Sequence, residues 1–381
     1  MSVRVDPAFL EELRRFGAAG VTACFNCGNC TAVCSLAGEE GSFPRRLIRL
    51  AQLGLRKRLA ASRELWLCYS CGDCSDTCPR QADPAEFLAS ARRYFISAWD
   101  LTSIARRLYT SPAFTASFLG ILTLLLTGMF LGSGGRLNPQ RLDLFGFIDL
   151  QWVHYTGVAV LALAALAMVA NIASFVRASV VSIFPRPQGT RALLQDAWGA
   201  IGDTVKELSL QRNFGECESS VESAHGRWYL SRRFLHLAIM WGFLGLWGAT
   251  GLDFLFKTPG SFVPLWYPAR LLGTASGLLL LYGTSVAILF RLTKKGGSAF
   301  AHTFLSDWLL LGLLWIVTAS GFAVEIAAYQ AGGPIWGYAA FLLHVVTAME
   351  LLILMPFTKF VHAIYRPLGI WAFHLKVRRR R

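Results

Sequence analysis

The sequence lacks the short motifs that mark a catalyst acting on soluble substrates. It contains no glycine-rich fingerprint for a flavin or a nucleotide, and no C-x-x-C-H run for covalent attachment of a c-type haem. Its first residues, MSVRVDPAFLEELRRFG, include no apolar stretch of the kind found in signal peptides. We therefore expect no secretory leader, and we expect any chemistry on a soluble substrate to take place on partner subunits.

Charged residues are scarce and apolar residues are abundant. Of the 381 residues, 54% are hydrophobic and 16% are charged, and the chain holds 12 Trp and 27 Phe. This composition predicts a membrane protein in contact with lipid. The formal net charge of +14 would also suit nucleic-acid binding, but Lys and Arg flank the apolar runs. That distribution indicates membrane topology and no nucleic-acid partner.

Six apolar stretches after residue 110 are each long enough to cross a bilayer. Loops rich in Lys and Arg alternate with loops that hold few, and the chain ends in the basic run LKVRRRR. This pattern predicts a multi-pass protein of the inner (cytoplasmic) membrane with both termini in the cytoplasm. The polar segment between the second and third spans predicts an amphipathic helix on the inner surface or an ordinary connector helix.

Eight of the nine cysteines form two runs of identical spacing. CFNCGNCTAVC and CYSCGDCSDTCP both read C-x2-C-x2-C-x3-C. In two-cluster ferredoxins, three thiolates of such a run bind one [4Fe–4S] cluster and the fourth binds the other. Structural zinc, the alternative, usually uses paired C-x2-C knuckles, which these runs do not resemble. The predicted ligand sets are Cys24, Cys27, Cys30 and Cys78 for one cluster, and Cys68, Cys71, Cys74 and Cys34 for the other.

The 33 residues between the two runs predict helices and are rich in basic side chains. Anionic lipid headgroups, an acidic partner protein and plain solvent contact all remain open for this basic face. Its members are Arg45, Arg46, Arg49, Arg56, Lys57 and Arg58.

Four histidines lie near the ends of apolar stretches. His344 and His362 are 18 residues apart, so on one continuous helix they would point to the same side, one near each membrane surface. The loop charges place His154 at the outer depth and His236 at the inner depth. A lone histidine in a span is more often a packing residue, but two imidazoles at one depth suit a six-coordinate b-type haem. The predicted pairs are His236 with His362 for an inner haem, and His154 with His344 for an outer haem.

These motifs resemble those of known families. The cysteine runs and their long helical spacer resemble the ferredoxin subunit of heterodisulfide reductases. The membrane part is similar to the cytochrome b subunit of that system and to the respiratory nitrate reductase gamma subunit, whose last haem-binding helix matches the spacing from His344 through Pro356 to His362. The fusion resembles the membrane subunit of the quinone-interacting membrane-bound oxidoreductase complex. The gamma subunit has a second histidine where Leu246 stands here, so we expect His154 to supply the missing ligand.

The fold class predicted is all-α, with a small helical two-cluster ferredoxin domain followed by a six-helix transmembrane cytochrome b bundle. The predicted divisions are a cytoplasmic ferredoxin domain (1–110), spans one and two (111–176), a cytoplasmic connector with an amphipathic helix (177–230), spans three to six (231–366) and a basic cytoplasmic tail (367–381).

The resemblance implies a membrane electron-transfer subunit that oxidises menaquinol from the quinone pool. Electrons would pass through two b-type haems and two [4Fe–4S] clusters to cytoplasmic flavin and iron–sulfur subunits of the heterodisulfide reductase type. Adenylylsulfate reductase, in dissimilatory sulfate metabolism, would then be the indirect acceptor. The alternatives are heterodisulfide reduction or another terminal reductase, and a redox-sensing or assembly protein without turnover. The candidates for handling quinol protons are Asp253, Lys257, Arg270 and Glu325, for which ordinary interfacial charge is the alternative.

Overall fold

The structure is a computed structural model that describes residues 4–37, 42–180, 190–219, 227–256, 264, 266–294, 303–330 and 334–379. Helices and their connections account for all of these residues, and no strand occurs among them. The all-α class and the six helices long enough to cross a membrane are therefore confirmed. Lys257 lies outside the described residues.

Short helices dominate the cysteine-rich N-terminal region, and one long helix closes it. The long helix, α7, begins at Pro84, directly after Asp83, whose side chain accepts a hydrogen bond from the backbone N–H of Glu86. Proline in the first turn and an aspartate cap are the usual signals for a helix start. The helices of this region are α1 Phe9–Arg14, α2 Asn29–Ala32, α3 Arg45–Gln52, α4 Arg56–Ala60, α5 Glu64–Leu67, α6 Asp73–Asp76, α7 Pro84–Trp99 and α8 Ile104–Thr110.

Six long apolar helices follow, each with a mean hydropathy between 1.4 and 2.3 over its best window. Lipid-facing side chains on these helices stay exposed, because apolar surface is stable against hydrocarbon. The six are α9 Pro112–Leu131, α11 Leu150–Phe175, α14 Arg232–Phe256, α15 Pro268–Thr293, α16 Leu305–Tyr329 and α17 Trp336–Leu354. The remaining helices are α10 Leu144–Phe147 before α11, α12 Thr190–Leu210 and α13 Arg212–Ser219 before α14, and α18 His362–Arg378 at the C-terminal end.

The last apolar helix does not continue to His362. Helix α17 ends at Leu354, and two short 3-10 turns separated by the extended residue Thr358 precede α18. Pro356 has no N–H to donate into the helix, and its ring disfavours the helical path. The side chain of Asn171 on α11 donates to the Pro356 carbonyl at 3.0 Å. The expectation of one continuous helix through both histidines was therefore wrong.

The N-terminal region and the ends of two long helices share one hydrophobic core. The Trp66 ring of α5 meets Phe175 at the end of α11 and Tyr365 on α18, with ring centroids 5.8 and 5.3 Å apart. Gly369 on α18 lies so close that a Cβ there would come within 2.7 Å of the Trp66 Cβ. These buried contacts hold the cysteine-rich region against the helix ends.

Helices α14 and α15 pack closely through small residues. A Cβ added at Gly242 would lie 2.7 Å from the backbone nitrogen of Leu280. Nearer one end of the pair, a Cβ added at Gly273 would make ordinary van der Waals contact with the Ala249 Cβ at 3.5 Å. Small-residue packing of this kind lets two apolar helices approach where no hydrophobic effect drives them together.

Candidate functional site

The eight cysteines of the two runs form two groups, each with members from both runs. Cys34 shares a cavity of about 220 Å³ with Cys68, Cys71 and Cys74. Burial raises the pKa of Cys30, and the three other thiols predicted for its cluster are close enough to raise it further. The runs meet because α2 packs against α6, where the side chain of Asn29 donates to the Thr77 carbonyl at 2.5 Å. The structure thus brings the members of each predicted ligand set together.

Each run turns through a glycine at the same place. Gly28 and Gly72 have φ angles of 93° and 101°, in the left-handed region that glycine adopts at little cost. Both glycines precede the short helix that carries the third cysteine of the run. The backbone N–H of Ser70 also donates to the sulfur of Cys68 at 3.3 Å. Such N–H to sulfur bonds help set the potential of an iron–sulfur centre.

The thiols fit a polynuclear cluster better than a single ion. Burial, with neighbouring thiols adding to it, raises the pKa of Cys34 to about 12, and the same causes raise the pKa of Cys74. Thiolates there need the positive charge of bound iron to form. Among the described residues, no three His, Cys, Asp or Glu side chains converge closely enough for one metal ion. Four sulfurs spread around a cavity are what a cubane cluster requires.

The inner histidine pair, His236 and His362, comes together at the start of α14 and the start of α18. Their ring centroids are 6.4 Å apart, with the ring planes at 63°. Two imidazoles on opposite sides of one metal, each with a metal–nitrogen bond of about 2 Å, place their ring centres roughly 6 Å apart. The Nδ1 of His362 lies 2.5 Å from the carbonyl of Lys359. Donation from Nδ1–H to that carbonyl leaves Nε2 as the atom for a metal.

His236 has its own Nδ1 partner, which the sequence analysis did not single out. The side-chain amide of Gln211, a residue between α12 and α13, lies 2.9 Å from His236 Nδ1. Gln211 is 3% exposed and has a φ of 47°, and its Oε1 has no hydrogen-bond partner among the described residues. Turning the amide by 180° places Oε1 on Nδ1, where it accepts a hydrogen bond from Nδ1–H. The connector therefore supplies the group that orients this imidazole.

The outer histidines lie on separate helices. On α17, His344 has its Nδ1 3.0 Å from the carbonyl of Val317 on α16, and Gly321 makes room for the ring, since a Cβ there would lie 3.1 Å from Cε1. On α11, His154 is exposed and meets the ring of Phe254 at 5.3 Å. No contact within the described chain joins His154 to His344. The two helices pack together, and a Cβ added at Gly157 on α11 would lie 3.5 Å from the end of the Met349 side chain on α17.

Aromatic rings connect the second cysteine run to the inner histidine pair. Tyr69 directly follows Cys68, and its ring stacks on Phe214 with centroids 4.9 Å apart. The Phe214 ring in turn makes an edge contact with the His236 ring, with centroids 6.2 Å apart. The guanidinium of Arg366 lies 3.8 Å above the Tyr69 ring, on its other flank. The Cys68 run is therefore the one that borders the inner pair.

Three of the four candidate quinone residues are described, and two of them meet. Arg270 Nη1 on α15 lies 3.8 Å from Glu325 Oε1 on α16, and the hydroxyl of Thr274 donates to the same oxygen at 3.1 Å. Asp253 lies four residues beyond Ala249, which faces Gly273, so the antiparallel register puts Asp253 level with Arg270. These side chains form a polar group at one end of α14, α15 and α16.

Comparison with known proteins gives matches for both parts of the chain. Residues 20–82 match the family described as 4Fe-4S dicluster domain, and residues 121–381 match the family described as citrate utilization protein B. The membrane-part match is to a family that the sequence analysis did not name. No solved structure matches the chain significantly.

Several curated relatives are components of heterodisulfide reductases. The chain is 30% identical over 161 residues to a component of the dihydromethanophenazine:CoB–CoM heterodisulfide reductase of Methanosarcina mazei, covering 37% of this chain and 59% of that protein. It is 39% identical over 93 residues to the iron-sulfur component of the CoB–CoM heterodisulfide reductase of Methanopyrus kandleri, covering 24% and 46%. It is 31% identical over 88 residues to a component of the H2:CoB-CoM heterodisulfide,ferredoxin reductase of Methanothermobacter thermautotrophicus, covering 23% and 48%.

The chain spans about half the length of the curated relatives it matches. The likeness to the iron–sulfur component of heterodisulfide reductases is confirmed. The dicluster match contains all eight cysteines of the two runs. In this chain a 4Fe–4S dicluster domain precedes the second match. That second match covers more than half of the chain, and the chain therefore belongs to the citrate utilization protein B family.

Proposed function

We propose that the protein is the membrane electron-transfer subunit of a quinone-linked oxidoreductase. It exchanges electrons between the quinol pool and a cytoplasmic partner that carries flavin or iron–sulfur centres. The observation that carries this proposal is the continuous contact from Cys68 through Tyr69 and Phe214 to His236 and His362. A cysteine cluster beside a metal-competent histidine pair, at the end of apolar helices, suits one-electron transfer between membrane and cytoplasm.

The inner pair suits a b-type haem by its chemistry. His236 and His362 face each other at 6.4 Å, and both have Nδ1 engaged by a hydrogen-bonding group. With Nδ1 engaged, Nε2 is the atom by which each imidazole would hold the haem iron. We assign these two residues to the inner haem.

His344 and His154 are assigned to an outer haem. The Val317 carbonyl fixes the tautomer of His344 in the same way as the Lys359 carbonyl fixes that of His362. His154 shares its depth and lies on the helix that packs beside α17. Its exposed imidazole needs a polar or metal partner, because an unsatisfied ring nitrogen in the membrane is costly.

When bound, haems and clusters carry single electrons, whereas a quinol releases two electrons and two protons. The chain must therefore supply proton acceptors near the outer histidines. Glu325 Oε1, held by Thr274 and Arg270, is positioned to take a proton from a quinol hydroxyl. Asp253, level with Arg270 on the neighbouring helix, is a second acceptor. This arrangement supports menaquinol oxidation at the outer ends of α14, α15 and α16.

The sidedness follows from the loop charges and from the packing of the domains. The dicluster domain packs against the same helix ends as α18, so the N-terminal domain and the C-terminal helix share one side. The basic loops and tail assign that side to the cytoplasm. Both termini are then cytoplasmic, and the divisions after residues 110, 176, 230 and 366 stay a prediction.

The partner is proposed from the relatives. Two of the curated relatives are named as components of heterodisulfide reductases with more than one kind of chain. By analogy, this chain delivers electrons to cytoplasmic flavin and iron–sulfur subunits of that type, with adenylylsulfate reductase of dissimilatory sulfate metabolism as the indirect acceptor. If the chain instead served heterodisulfide reduction or another terminal reductase, it would use the same haems and clusters.

The family match favours a second candidate function. The family that matches residues 121–381 is named for citrate utilization. The same carriers would then serve a partner oxidoreductase acting during citrate utilization, with electrons passing from the clusters to quinone. The two assignments are distinguished by measuring which partner protein exchanges electrons with the reconstituted chain over many turnovers.

An anaerobic visible spectrum of the purified protein tests the proposal. A menaquinol analogue is added first and dithionite afterwards, with a His236→Ala variant alongside. We expect reduced b-type bands from the quinol in the parent protein, and about half that absorbance in the variant under dithionite. Absence of b-type bands under both reductants would overturn the haem assignment, and bands under dithionite alone would overturn quinol oxidation by this chain.

A further inference from the structure

The two cysteine sets differ in their surroundings. The Cys68 run borders the inner histidine pair, and Arg232 on α14 donates to the Cys71 carbonyl at 2.5 Å. Of the eight cysteines in the two runs, Cys27 alone is exposed. The loop that contains it borders an open cavity of about 490 Å³, lined in part by Cys24, Phe25 and Arg49. The set of Cys24, Cys27, Cys30 and Cys78 is therefore the one an external molecule reaches first.

Three guanidinium groups surround this loop. Arg80 lies over the Phe25 ring at 5.9 Å, and Phe25 is itself 60% exposed. Arg49 lines the cavity beside Cys24, and Arg45 extends over Gly28, 3.0 Å from where a Cβ would stand. An exposed aromatic ring beside arginines is the composition of a protein-docking hot spot.

The charges of these three arginines are not neutralised within the described part of the chain. Arg45, Arg49 and Arg80 form no ion pair with any described residue. Several other arginines of the same domain are paired. Their pairs are Arg46 with Glu64, Arg56 with Asp6 and Glu12, and Arg93 with Glu86. Among the described residues, positive charge therefore remains around the exposed cluster loop, where it attracts an acidic surface.

We propose that Phe25, Cys27, Arg45, Arg49 and Arg80 form a docking surface, here called the exit face, for an acidic redox protein. This inference rests on the proposed electron-transfer function and adds the place and the charge of the partner. The partner exchanges one electron at a time with the cluster held by Cys24, Cys27, Cys30 and Cys78. In each event the reduced cluster loses one electron and the partner's centre gains it, and no bond or proton changes place. Phe25 fills an apolar recess of the partner while the arginines face its carboxylates.

Oxidation of the dithionite-reduced full-length protein by two inorganic acceptors tests the exit face. Ferricyanide is an anion and hexaammineruthenium(III) is a cation, and both take one electron. The decay of the reduced-cluster signal is followed by electron paramagnetic resonance in freeze-quenched samples. The variants are Arg49→Glu and Arg80→Glu. The control is Lys57→Glu, an exposed residue on α4 with the same charge change.

We expect each exit-face variant to slow ferricyanide roughly tenfold at low ionic strength and to accelerate the ruthenium complex, because local potential sets the encounter rate. Both effects should vanish at about 1 M salt, where the Debye length is about 3 Å. Lys57→Glu should leave both rates unchanged. Equal effects in the control, or no opposite response of the two acceptors, would overturn the proposal. Dithionite supplies the electrons directly, so a failure of quinol oxidation leaves this experiment readable.

A protein acceptor and a lipid arm complete the test. The Phe25→Ala and Arg80→Glu variants should reduce purified flavodoxin, an acidic flavin protein, more slowly than the parent protein does. The rate of oxidation by ferricyanide should not change in Phe25→Ala. The measurement is repeated in liposomes of phosphatidylcholine and of phosphatidylglycerol. If the effect of Arg49→Glu disappears in phosphatidylglycerol, anionic headgroups cover the face, and docking of a protein there would be refuted.

Discussion

The rings of Tyr69 and Phe214 stack with centroids 4.9 Å apart and planes at 19°. Tyr69 lies in the dicluster domain and Phe214 lies 145 residues later, in the connector. Tyr69 adjoins a predicted cluster ligand, and Phe214 contacts the ring of His236. The hydroxyl of Tyr69 also donates to Glu207 on α12. The stack puts the Cys68 run next to the inner histidine pair, and the proposed order of the centres rests on it.

Replacing Phe214 should slow electron transfer between the inner haem and the neighbouring cluster. Phe214 is 7% exposed, so Phe214→Ala removes the buried ring that contacts both Tyr69 and His236, at a cost of about 3 kcal/mol in unfolding free energy. Phe214→Tyr keeps the ring and serves as the control. Stopped-flow absorbance after a quinol pulse should show haem reduction at the parent rate and delayed cluster reduction in Phe214→Ala. Unchanged cluster reduction would contradict this path.

Gln211 should tune the inner haem through His236. Removing a group that orients a ligating histidine commonly costs about 10- to 100-fold in metal affinity or activity. Gln211→Leu takes away the Nδ1 partner, while Gln211→Glu supplies an anionic acceptor that makes the imidazole more electron-rich. Potentiometric titration should give a lower inner-haem midpoint potential for Gln211→Glu than for the parent, with the outer haem unmoved. A merely structural role would shift both haems together or neither.

The local features of this fold can be predicted from the sequence. Each span is an apolar run of about 20 residues, and each cysteine run specifies its own turn, so helix number and cluster type follow from short-range pattern. The break after Leu354 does not follow, because proline is tolerated within many membrane helices. Pro356 ends α17 here, with Asn171, 185 residues away in sequence, bonding its carbonyl.

Gln211 illustrates what pattern reasoning misses in a site. It stands in a polar connector, where glutamine is ordinarily solvated, and its burial arises only when α12 and α13 fold back on α14. The lack of a carboxylate partner for Arg45, Arg49 and Arg80 among the described residues is equally invisible in the sequence. The basic residues between the cysteine runs look alike in one dimension, and only packing separates those that meet a carboxylate from those that do not.

The outer histidine pair can be tested by counting haems. His344→Ala and His154→Ala should each lower the pyridine haemochrome yield from two haems to one per chain, because a six-coordinate haem loses an axial ligand. Gly321→Val should act like His344→Ala, since a side chain there collides with the imidazole. Gly312, on the same helix with open space around it, gives the control Gly312→Val. Two haems retained in His154→Ala would show that another residue pairs with His344.

The crossed cysteine sets predict which cluster each single substitution destroys. Cys34 belongs to the first run but lines the cavity of the second. Cys34→Ala should therefore remove the signal of the cluster near the inner haem, and Cys78→Ala that of the exposed one. The cluster that remains is identified in the reduced sample with an added soluble paramagnetic ion, which speeds the relaxation of the exposed cluster more than that of the cluster near the haem. If Cys34→Ala instead removed the exposed cluster, the runs would bind without crossing.

Glu325 should govern quinol oxidation without affecting the resident centres. Glu325→Gln keeps the size and the hydrogen bond from Thr274 but cannot accept a proton, so the rate of haem reduction by a menaquinol analogue should fall by about 100-fold or more, the usual contribution of a positioned acid or base. Dithionite should still reduce both haems fully. The matched variant Glu11→Gln, an exposed carboxylate on α1, should behave as the parent. If Glu325→Gln oxidised quinol at the parent rate, the proton would leave by another group, and Asp253→Asn would be the next variant to measure, since Asp253 lies level with Arg270 on the neighbouring helix.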